Sequence, residues 1–539
     1  MNKKLLLILM ILGAFNIILY YRLPRVKGTI YVGGHITSDT TWSPADTYHV
    51  INDIYVDPHI VLIIKPGVVV EFADDLSLIV EGSLNASGTE SDPIIFTSYR
   101  SSPSPGAWNT IEFKGNSSEQ FLLKHVKVEY AVHGVTVQST NLAIIEKSEI
   151  SNCSENGIRI IGESNILIEH NIIKENRNGI ATNEAEVLTG IVVNDNAISD
   201  NQENGVYLRG FSGYTGYFQL VYNVTFSLNE ISSNGKSGVY IYNAGGHIYD
   251  ITFFSNIVSS NGKNGIWLYC YSDIFNVTFS SNIITSNVEN GIYAEAKKHF
   301  VYTYDCTILD NVISANHQRG IWINGGTNAN LSHNSISYNL FGVFFTMTRN
   351  NLVRNNDIYC NSYGVNVTLG ASVDATQNYW GHPTGPHHSS LNLEGEGNSV
   401  NGDGIDLVFI PFLSANQSSI NTRPVAVLLV DIDIVNVNGT VVFDACKSTD
   451  DGCISCYFFD FGDGFNSGWI VQSSVAHEYA DEGKYNVTLI VRDNLGVTSV
   501  DYDTVYMTIT VIPEFSSFML MSQFVLATLL ASIVHKRKE

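Results

Sequence analysis

The chain has 539 residues, of which 44% are hydrophobic and only 15% are charged, and its formal net charge at pH 7 is −23. This length leaves room for two or three domains with sizeable cores. The negative charge argues against nucleic acid as a partner, because binding to phosphates needs a basic surface.

The first predicted element is a hydrophobic segment at the N-terminus. Two lysines precede an apolar run from Leu5 to Tyr21, which is typical of a secretory signal or an uncleaved anchor. No small-x-small cleavage motif precedes Arg22, and this favours the anchor. We assign residues 1–27 to this segment and expect the rest of the chain to be exported.

A repeated phrase occupies the centre of the chain. It consists of an Asn, a second Asn five residues later, a Gly, and then a short strand with alternating polarity. The glycines recur every 22 to 33 residues, at Gly157, Gly179, Gly205, Gly238, Gly265, Gly291, Gly320, Gly342 and Gly364. Such a period indicates a solenoid, in which each coil buries its apolar face against its neighbours.

The residue types suit the corners and strands of such a coil. Asn tolerates a left-handed backbone and bonds to nearby backbone groups, so we expect it at corners, where stacked copies can form amide ladders. Gly suits a corner with positive φ or close crowding. In the strand after each Gly, the first and third residues are predicted to point inward, as at Val239 and Ile241.

Coil length and phrases such as HNIIKENRNG and SNIITSNVENG resemble the right-handed parallel β-helix family of surface and pectate-lyase-like proteins. The resemblance runs from Tyr31 to Leu413. The run beginning at Thr41 is similar to the first coils of such proteins, and NYWGHPTGPH and GIDLVFIPFL are similar to their closing segment. The resemblance implies an all-β fold, with a right-handed parallel β-helix solenoid over residues 28–413.

The second residue after the Gly is predicted to point outward, and it is aromatic in six consecutive coils. A stripe at coil spacing could track an extended polymer, so we predict glycan binding here. Two alternatives stay open: the rings stabilise neighbouring strands, or they form a protein contact, as exposed patches often do. The stripe comprises Tyr207, Tyr240, Trp267, Tyr293, Trp322 and Phe344.

Acidic residues on one flank of three consecutive coils support an alternative function. Asp250, Asp273 and Asp305 share this flank, and Lys297 is close in register. Glycosidases use two carboxylates about 5–10 Å apart, whereas a lyase would combine a Ca²⁺-holding acidic cluster with a base such as Lys297. Asn276 stands at the same level as two of these carboxylates, which favours a generic polar row.

Three histidines lie in the closing phrase GHPTGPHH, at His382, His387 and His388. They have no carboxylate partner in the sequence pattern, so we interpret them as structural. Relatives in copper-enzyme maturation share the coil pattern, but they act in the periplasm and lack the C-terminal elements described next. The sequence therefore disfavours a copper role.

After a polar linker at residues 414–423, short alternating strands over residues 424–512 predict a β-sandwich. The phrases FDACKSTDDGCISCYFFDFGDG and HEYADEGKYNVTLIVRDNLG resemble the polycystic-kidney-disease (PKD) family of immunoglobulin-like modules. Phe459 stands where members usually carry Trp, and we expect it to fill the same core position. The resemblance implies a spacer or a module that adheres to carbohydrate or protein.

This second domain also holds the candidates for a metal or a disulfide. Some PKD relatives bind Ca²⁺ near the strand ends, and the resemblance makes Asp450, Asp451 and Asp493 the candidates here, with turn capping as the alternative. No cofactor is required. A disulfide is expected among three neighbouring cysteines whose pairing stays open: Cys446, Cys453 and Cys456.

Residues 513–539 form a second hydrophobic segment. The apolar run from Phe515 to Val534 is long enough to span a bilayer, and the basic residues after it should stay cytoplasmic. The order IPEFSSF, apolar run, HKRKE is similar to archaeal PEF-type C-terminal sorting signals, although Ser516 stands where Pro is usual. The resemblance implies export and transfer to a surface anchor.

Together these elements predict an archaeal cell-surface protein, anchored in the membrane at its C-terminus and carrying ten Asn-x-Ser/Thr sequons. We predict a non-catalytic role in adhesion, envelope structure or extracellular glycan binding. Its partner would be a polysaccharide or a cell-surface glycan or protein. The alternative is a surface-anchored polysaccharide lyase or hydrolase.

Overall fold

The structure is a computed structural model that describes residues 28–114, 120–138, 142–162, 165–182, 187–210, 220–297, 305–326, 328–402, 406–416, 424–448, 454–493, 498–499 and 505–512. The predicted terminal segments, 1–27 and 513–539, lie outside these residues, as does most of the linker. Within the described part, no helix is long and apolar enough to cross a membrane. The chain divides into two compact units, residues 1–192 with 197–219 and residues 193–196 with 220–539.

In the first unit, each coil contributes strands to three columns, and successive coils pair in parallel. A first strand, Gly28–Ile36, pairs with Asp46–Val56, which extends into two columns. The first column holds Thr40–Trp42, Val61–Ile64, Ser83–Ser87, Phe121–Lys124, Ala143–Glu146, Ile166–Glu169 and Ile191–Asn194. The second holds Val69–Phe72, Ile94–Ser98, Val126–Glu129, Glu149–Ser151, Ile172–Lys174 and Ala197–Ser199. The third holds Ser77–Val80, Thr110–Phe113, Val135–Val137, Asn156–Ile160, Asn178–Thr182 and Val206–Arg209. The short strand Val187–Leu188 follows the fifth of these.

The second unit repeats the arrangement. Its first column holds Leu220–Ser227, His247–Phe254, Ile274–Ser280, Cys306–Leu309, Ala329–Ser332, Asn351–Arg354, Val373–Asp374 and Leu407–Val408. The second holds Glu230–Ser232, Ile257–Ser259, Ile283–Thr285, Val312–Ser314, Ser335–Ser337 and Asp357–Tyr359. The third, which we call the glycine column because its strands follow or contain the repeat glycines, holds Val239–Asn243, Ile266–Cys270, Ile292–Ala296, Arg319–Asn324, Phe341–Thr346, Tyr363–Thr368 and Ser399–Asn401.

The interior of the coils follows the predicted alternation. Val239 and Ile241 are buried, as are their equivalents in the next coils. On the first column, Phe226, Phe253 and Phe279 stack inside the coil with centroids 4.8 and 4.9 Å apart. Identical residues at identical positions therefore pack one above another, and the core is a set of vertical rows.

Two asparagine ladders run through the second unit, as the repeat predicted. In the first ladder, Asn282 Nδ2 donates to Asn311 Oδ1 at 2.9 Å and to the Phe253 carbonyl at 2.9 Å. Its own Oδ1 accepts the backbone N–H and the amide of Asn256, both at 2.9 Å. The second ladder, one corner further on, links Asn234, Asn261, Asn287, Asn316, Asn339, Asn361 and Asn398 in the same way.

The corner backbone differs from the expectation. Positive φ belongs to the residue before each ladder asparagine except Asn398, as at Ser281 with 58° and Ser286 with 59°, and not to the asparagine itself. The repeat glycines are required by crowding and not by φ. A Cβ on Gly265 would lie 2.7 Å from the Gly291 carbonyl oxygen and 2.8 Å from Asn287 Nδ2.

The C-terminal strands form the predicted sandwich. Leu429–Val430, Thr440–Asp444 and Ser474–Glu478 make a three-stranded sheet, and Ile434–Asn436, Val505–Ile512, Gly483–Asp493, Ile454–Asp460 and Asn466–Ile470 make a five-stranded one. Phe459 is fully buried with Phe443 and Tyr479, so it occupies the core as expected. No disulfide joins Cys446 to Cys456 in the described part of the chain, and Cys453 lies outside it, so a pair that includes Cys453 stays a prediction.

We predict that Asn282→Ala destabilises the protein by about 3 kcal/mol, because several buried backbone and amide groups lose their partner at once. Urea unfolding followed by near-UV circular dichroism measures the change. The control is Asn330→Ala, which removes an exposed asparagine two coils away and should change stability by less than about 0.5 kcal/mol. Equal effects of the two substitutions would contradict the ladder's role.

A second prediction concerns acid stability. Burial, followed by the charge of Arg159, lowers the pKa of His133 to about 4. In the unfolded chain His133 becomes protonated below about pH 6.5, whereas in the folded protein it stays neutral down to about pH 4. The free energy of unfolding should therefore fall as the pH drops through this window. The fall in melting temperature should shrink in His133→Asn. An unchanged pH dependence in the variant would show that His133 does not cause it.

Candidate functional site

Strand pairing in the glycine column aligns five of the six aromatic residues of the predicted stripe. Tyr240 pairs with Trp267, Trp267 with Tyr293, Tyr293 with Trp322, and Trp322 with Phe344. Tyr207 occupies the corresponding place of Val206–Arg209 in the first unit. The second unit thus carries a continuous outward row of rings, one from each of five consecutive coils.

The rings of this row stack on one another. Centroids lie 4.3 Å apart for Tyr240 and Trp267, 5.7 Å for Trp267 and Tyr293, and 4.1 Å for Tyr293 and Trp322, with planes within 14° of parallel. Stacking covers the faces of the middle rings, and Tyr293 is only 8% exposed. A ligand on this row would meet ring edges, and not the open ring faces that the sequence suggested.

A cation ends the stack. The guanidinium carbon of Arg319 lies 4.2 Å from the ring centroid of Trp322 and 4.7 Å from that of Phe344. The Trp322 and Phe344 rings meet edge to face, at 80°. Burial lowers the pKa of Arg319, but a guanidinium stays protonated in proteins.

The next outward position of the glycine column carries a polar row beside the stack. Tyr242, Tyr269, Glu295 and Asn324 follow one another in register. Glu295 is 6% exposed. It accepts a hydrogen bond from the Tyr293 hydroxyl at 2.6 Å and one from Asn324 Nδ2 at 3.3 Å.

Lys297 completes the environment of Glu295. Its Nζ lies 2.7 Å from Glu295 Oε1 and 5.7 Å from the ring centroid of Tyr269. Burial raises the pKa of Tyr293, and the hydrogen bond to Glu295 raises it further. Burial also raises the pKa of Tyr269, with a contribution from Tyr271. Both phenols therefore stay neutral at physiological pH and keep a proton to donate.

Three buried polar atoms on this face have no hydrogen-bond partner among the described residues: Trp267 Nε1, Arg319 Nε and Asn324 Oδ1. They belong to the two coils that flank the coil of Tyr293 and Glu295, and each residue touches a member of the Tyr293–Glu295 pair or of the stack. Native proteins satisfy nearly all buried polar groups, so a concentration of exceptions needs an explanation such as a bound ligand. We call this region, comprising Trp267, Tyr293, Glu295, Lys297, Arg319, Trp322 and Asn324, the Glu295 face.

The three aspartates of the flank that the sequence suggested for catalysis do not form a group of paired carboxylates around Lys297. Asp250 accepts a hydrogen bond from Asn276 Nδ2 at 2.5 Å, and both residues have positive φ, as Asn223 does at the same level. Asn and Asp are favoured at such left-handed positions, which accounts for this row without catalysis. Asp273 pairs with His247 at 3.0 Å.

Asp305 is exposed, and its carbonyl accepts the backbone N–H of Val277. Lys297 pairs with Glu295, so the alternative base has another partner. The residues that the sequence did not select as a site are Glu295 and Arg319. In the sequence, each is a charged residue in a strand that also carries an aromatic residue of the stripe.

Metal binding receives no support within the described residues. No group of three or more His, Cys, Asp or Glu side chains there could hold an ion. His388 is buried, with Nε2 2.7 Å from the Gly402 carbonyl and Nδ1 accepting two backbone N–H groups, so it stabilises the closing loop. Asp450, Asp451 and the side chain of Asp493 lie outside the described residues, and Ca²⁺ there stays a prediction.

Four family descriptions match the chain. Residues 34–120 match "Pectate-lyase like beta helix domain", and residues 109–276 match "Right handed beta helix region". Residues 212–398 match "Periplasmic copper-binding protein (NosD)". Residues 421–509 match "PKD domain".

Individual proteins are similar over parts of the chain. Collagenase ColA of Clostridium perfringens is 35% identical over 107 residues, which are 19% of this chain and 9% of the collagenase. The PKD1 domain of the Vibrio cholerae metalloprotease PrtV is 31% identical and aligns with 17% of this chain and 98% of that domain, with a TM-score of 0.14. The A-module of the mannuronan C-5 epimerase AlgE4 of Azotobacter vinelandii is 15% identical over 64% of this chain and 91% of that module, with a TM-score of 0.39.

We predict that Glu295→Ala costs about 2 kcal/mol of stability, because the buried Tyr293 hydroxyl loses its acceptor and cannot reach water. Guanidinium unfolding followed by tryptophan fluorescence reports on the stacked row. Glu230→Ala removes an exposed carboxylate from the same unit and should leave stability within about 0.5 kcal/mol of the parent. If Glu295→Ala changes the stability as little as Glu230→Ala does, the Tyr293–Glu295 hydrogen bond does not organise this face.

Proposed function

The chain is a right-handed β-helix with a C-terminal PKD domain, and we propose that its Glu295 face binds an extended polysaccharide. The role is binding and not catalysis, in adhesion or in the structure of a cell envelope. The observation that carries the proposal is the set of unpartnered buried polar atoms on the Glu295 face. Sugar hydroxyls both donate and accept hydrogen bonds, so a glycan can satisfy an indole N–H, a guanidinium N–H and an amide oxygen alike.

The arrangement of the face suits a polymer better than a compact ligand. Neighbouring coils repeat at the strand spacing of about 4.8 Å, and each coil adds one aromatic and one polar side chain to the surface. Because Tyr269 and Asn324 continue the polar row on either side of Glu295, a chain laid across the strands would meet similar groups several times. Such repetition strengthens binding without a deep pocket.

The stacked rings have a defined part in this proposal. Their faces are occupied by one another, so they form a rigid apolar ridge beside the polar row. A sugar ring would place its C–H groups against the ridge and its hydroxyls toward Glu295, Lys297 and Asn324. Rigid aromatic side chains lose little conformational entropy on binding.

The place of action is also proposed. The N-terminal apolar run and the apolar run before the basic C-terminus are features of exported, anchored proteins. We place the coils and the PKD domain outside the cell, with the C-terminal segment as the membrane anchor and the PKD domain as a spacer or second adhesive module. The resemblance to archaeal sorting signals supports an archaeal cell surface.

A second candidate function, polysaccharide cleavage, has one observation in its favour. Tyr293, Glu295 and Lys297 form a hydrogen-bonded acid–base group with distances of 2.6 and 2.7 Å. A glycoside hydrolase needs a second carboxylate about 5–10 Å away, and the described partners of Glu295 are a phenol, an ammonium and an amide. Elimination by a lyase is therefore the form of cleavage that fits.

The proposal is tested by native gel electrophoresis of the full-length protein in mild detergent, through gels that contain different polysaccharides. We expect retardation in at least one gel, reduced about tenfold or more in apparent affinity by Trp267→Ala combined with Trp322→Ala, since aromatic anchors dominate such contacts. Tyr338→Ala is the matched control, because Tyr338 is 64% exposed at the corner that follows the strand Ser335–Ser337 of the same unit.

The same mixtures report on cleavage. A binding protein leaves the polymer length unchanged in size-exclusion chromatography, whereas a lyase shortens it and loses this activity in Glu295→Gln. Unchanged mobility in every gel, or an equal loss in Tyr338→Ala, would contradict glycan binding at the Glu295 face.

A further inference from the structure

Arg319 stands out among the charged residues of the Glu295 face. The described residues hold no carboxylate within ion-pair distance of its guanidinium, whereas Lys297 on the same face is paired with Glu295. Its described hydrogen bonds are from one terminal nitrogen to Gln318 Oε1 at 3.2 Å and Asn290 Oδ1 at 3.4 Å. Its Nε is buried without a partner.

The guanidinium is nevertheless held in place. It packs on three rings, with centroid distances of 4.2 Å to Trp322, 4.7 Å to Phe344 and 5.7 Å to Phe341. Aromatic faces attract a cation and fix the plane of the fork, but they do not supply hydrogen-bond acceptors. The fork has an Nε without an acceptor, and one of its terminal nitrogens bonds only to two uncharged amide oxygens. Such a planar fork is prepared for a bidentate anion such as a carboxylate or a sulfate.

The neighbouring charges do not provide that anion. Glu295 already receives the Tyr293 hydroxyl, Lys297 Nζ and Asn324 Nδ2, and the stack places Trp322 between Tyr293 and Arg319. A partly buried cation without a counter-ion is costly. Binding an external anion would remove that cost.

We propose that Arg319 makes the Glu295 face selective for acidic polysaccharides by binding a carboxylate or sulfate group of one sugar. This inference rests on the proposed function and names the chemical class of its ligand. The chain's net charge of −23 repels acidic polymers at long range. Binding of an acidic polymer therefore depends on a local, geometrically specific contact and not on general attraction.

The experiment compares three polymers on the full-length protein in mild detergent: dextran, dextran sulfate and polygalacturonate. Dextran and dextran sulfate share a backbone, so their difference reports the anion alone. The two acidic polymers distinguish sulfate from carboxylate as the bound group. Apparent dissociation constants come from the retardation in gels of graded polymer concentration, at low and high salt.

We expect the parent protein to bind at least one acidic polymer about tenfold or more tightly than dextran, and Arg319→Gln to remove that advantage. Arg319→Lys keeps the charge without the planar fork and should recover part of it. Salt screens both the contact of Arg319 with the anion and the long-range repulsion by the chain, and Arg319→Gln lacks only the former. Higher salt should therefore reduce the ratio of the parent's affinity for the acidic polymer to that of Arg319→Gln. Arg349→Gln, at an exposed arginine of the same unit, is the control, and melting temperatures confirm that all variants fold.

The outcomes separate the two proposals. Equal affinity for acidic and neutral polymers, or an undiminished preference in both Arg319 variants, overturns the role of Arg319 while glycan binding stands. No retardation by any of a broad set of polysaccharides overturns both. A preference lost in Arg319→Gln and retained in Arg349→Gln supports the inference.

Discussion

The asparagine ladders fix how one coil sits on the next, and the rest of the solenoid depends on that register. Each ladder amide is bonded to the coils before and after its own, as Asn282 is to Asn256 and Asn311. A slip of one residue would exchange the inward and outward side chains of a strand and leave these buried amides unsatisfied. The ladders therefore specify a single alignment, which the apolar rows alone would enforce less strictly.

Strict register also determines the outside of the protein. Because equivalent positions lie one above another, an aromatic residue repeated in the sequence becomes a stack in space, as Tyr240, Trp267, Tyr293 and Trp322 show. The same rule places Glu295 between Tyr269 and Asn324 in the adjacent row. Non-identical residues in such rows are thus the positions where the surface acquires chemistry. Glu295 is one of them, and Arg319, in register with Phe341, is another in a separate row.

The sequence predicted the coil columns, the inward residues and the sandwich, because these follow from periods that a linear pattern displays. It did not predict which corner residue takes positive φ. That residue is Ser281 and not Asn282, and the residue type of Ser281 does not indicate a left-handed backbone. Whether stacking covers the ring faces depends on the side-chain rotamers, and the spacing of the residues in the sequence does not determine those. The sequence placed His247 near the flank of Asp273 but did not single out their ion pair, nor that of Lys297 with Glu295 two residues before it, because side-chain rotamers decide both contacts.

We expect the outward face of the glycine column in the second unit to hold the ligand. A crystal structure of the protein with an oligosaccharide that retards it in gels tests this most directly. We expect sugar density across the strands at Trp267, Glu295 and Trp322, with hydrogen bonds to Trp267 Nε1 and Asn324 Oδ1. Density confined to another column, or to the C-terminal sandwich, would contradict it.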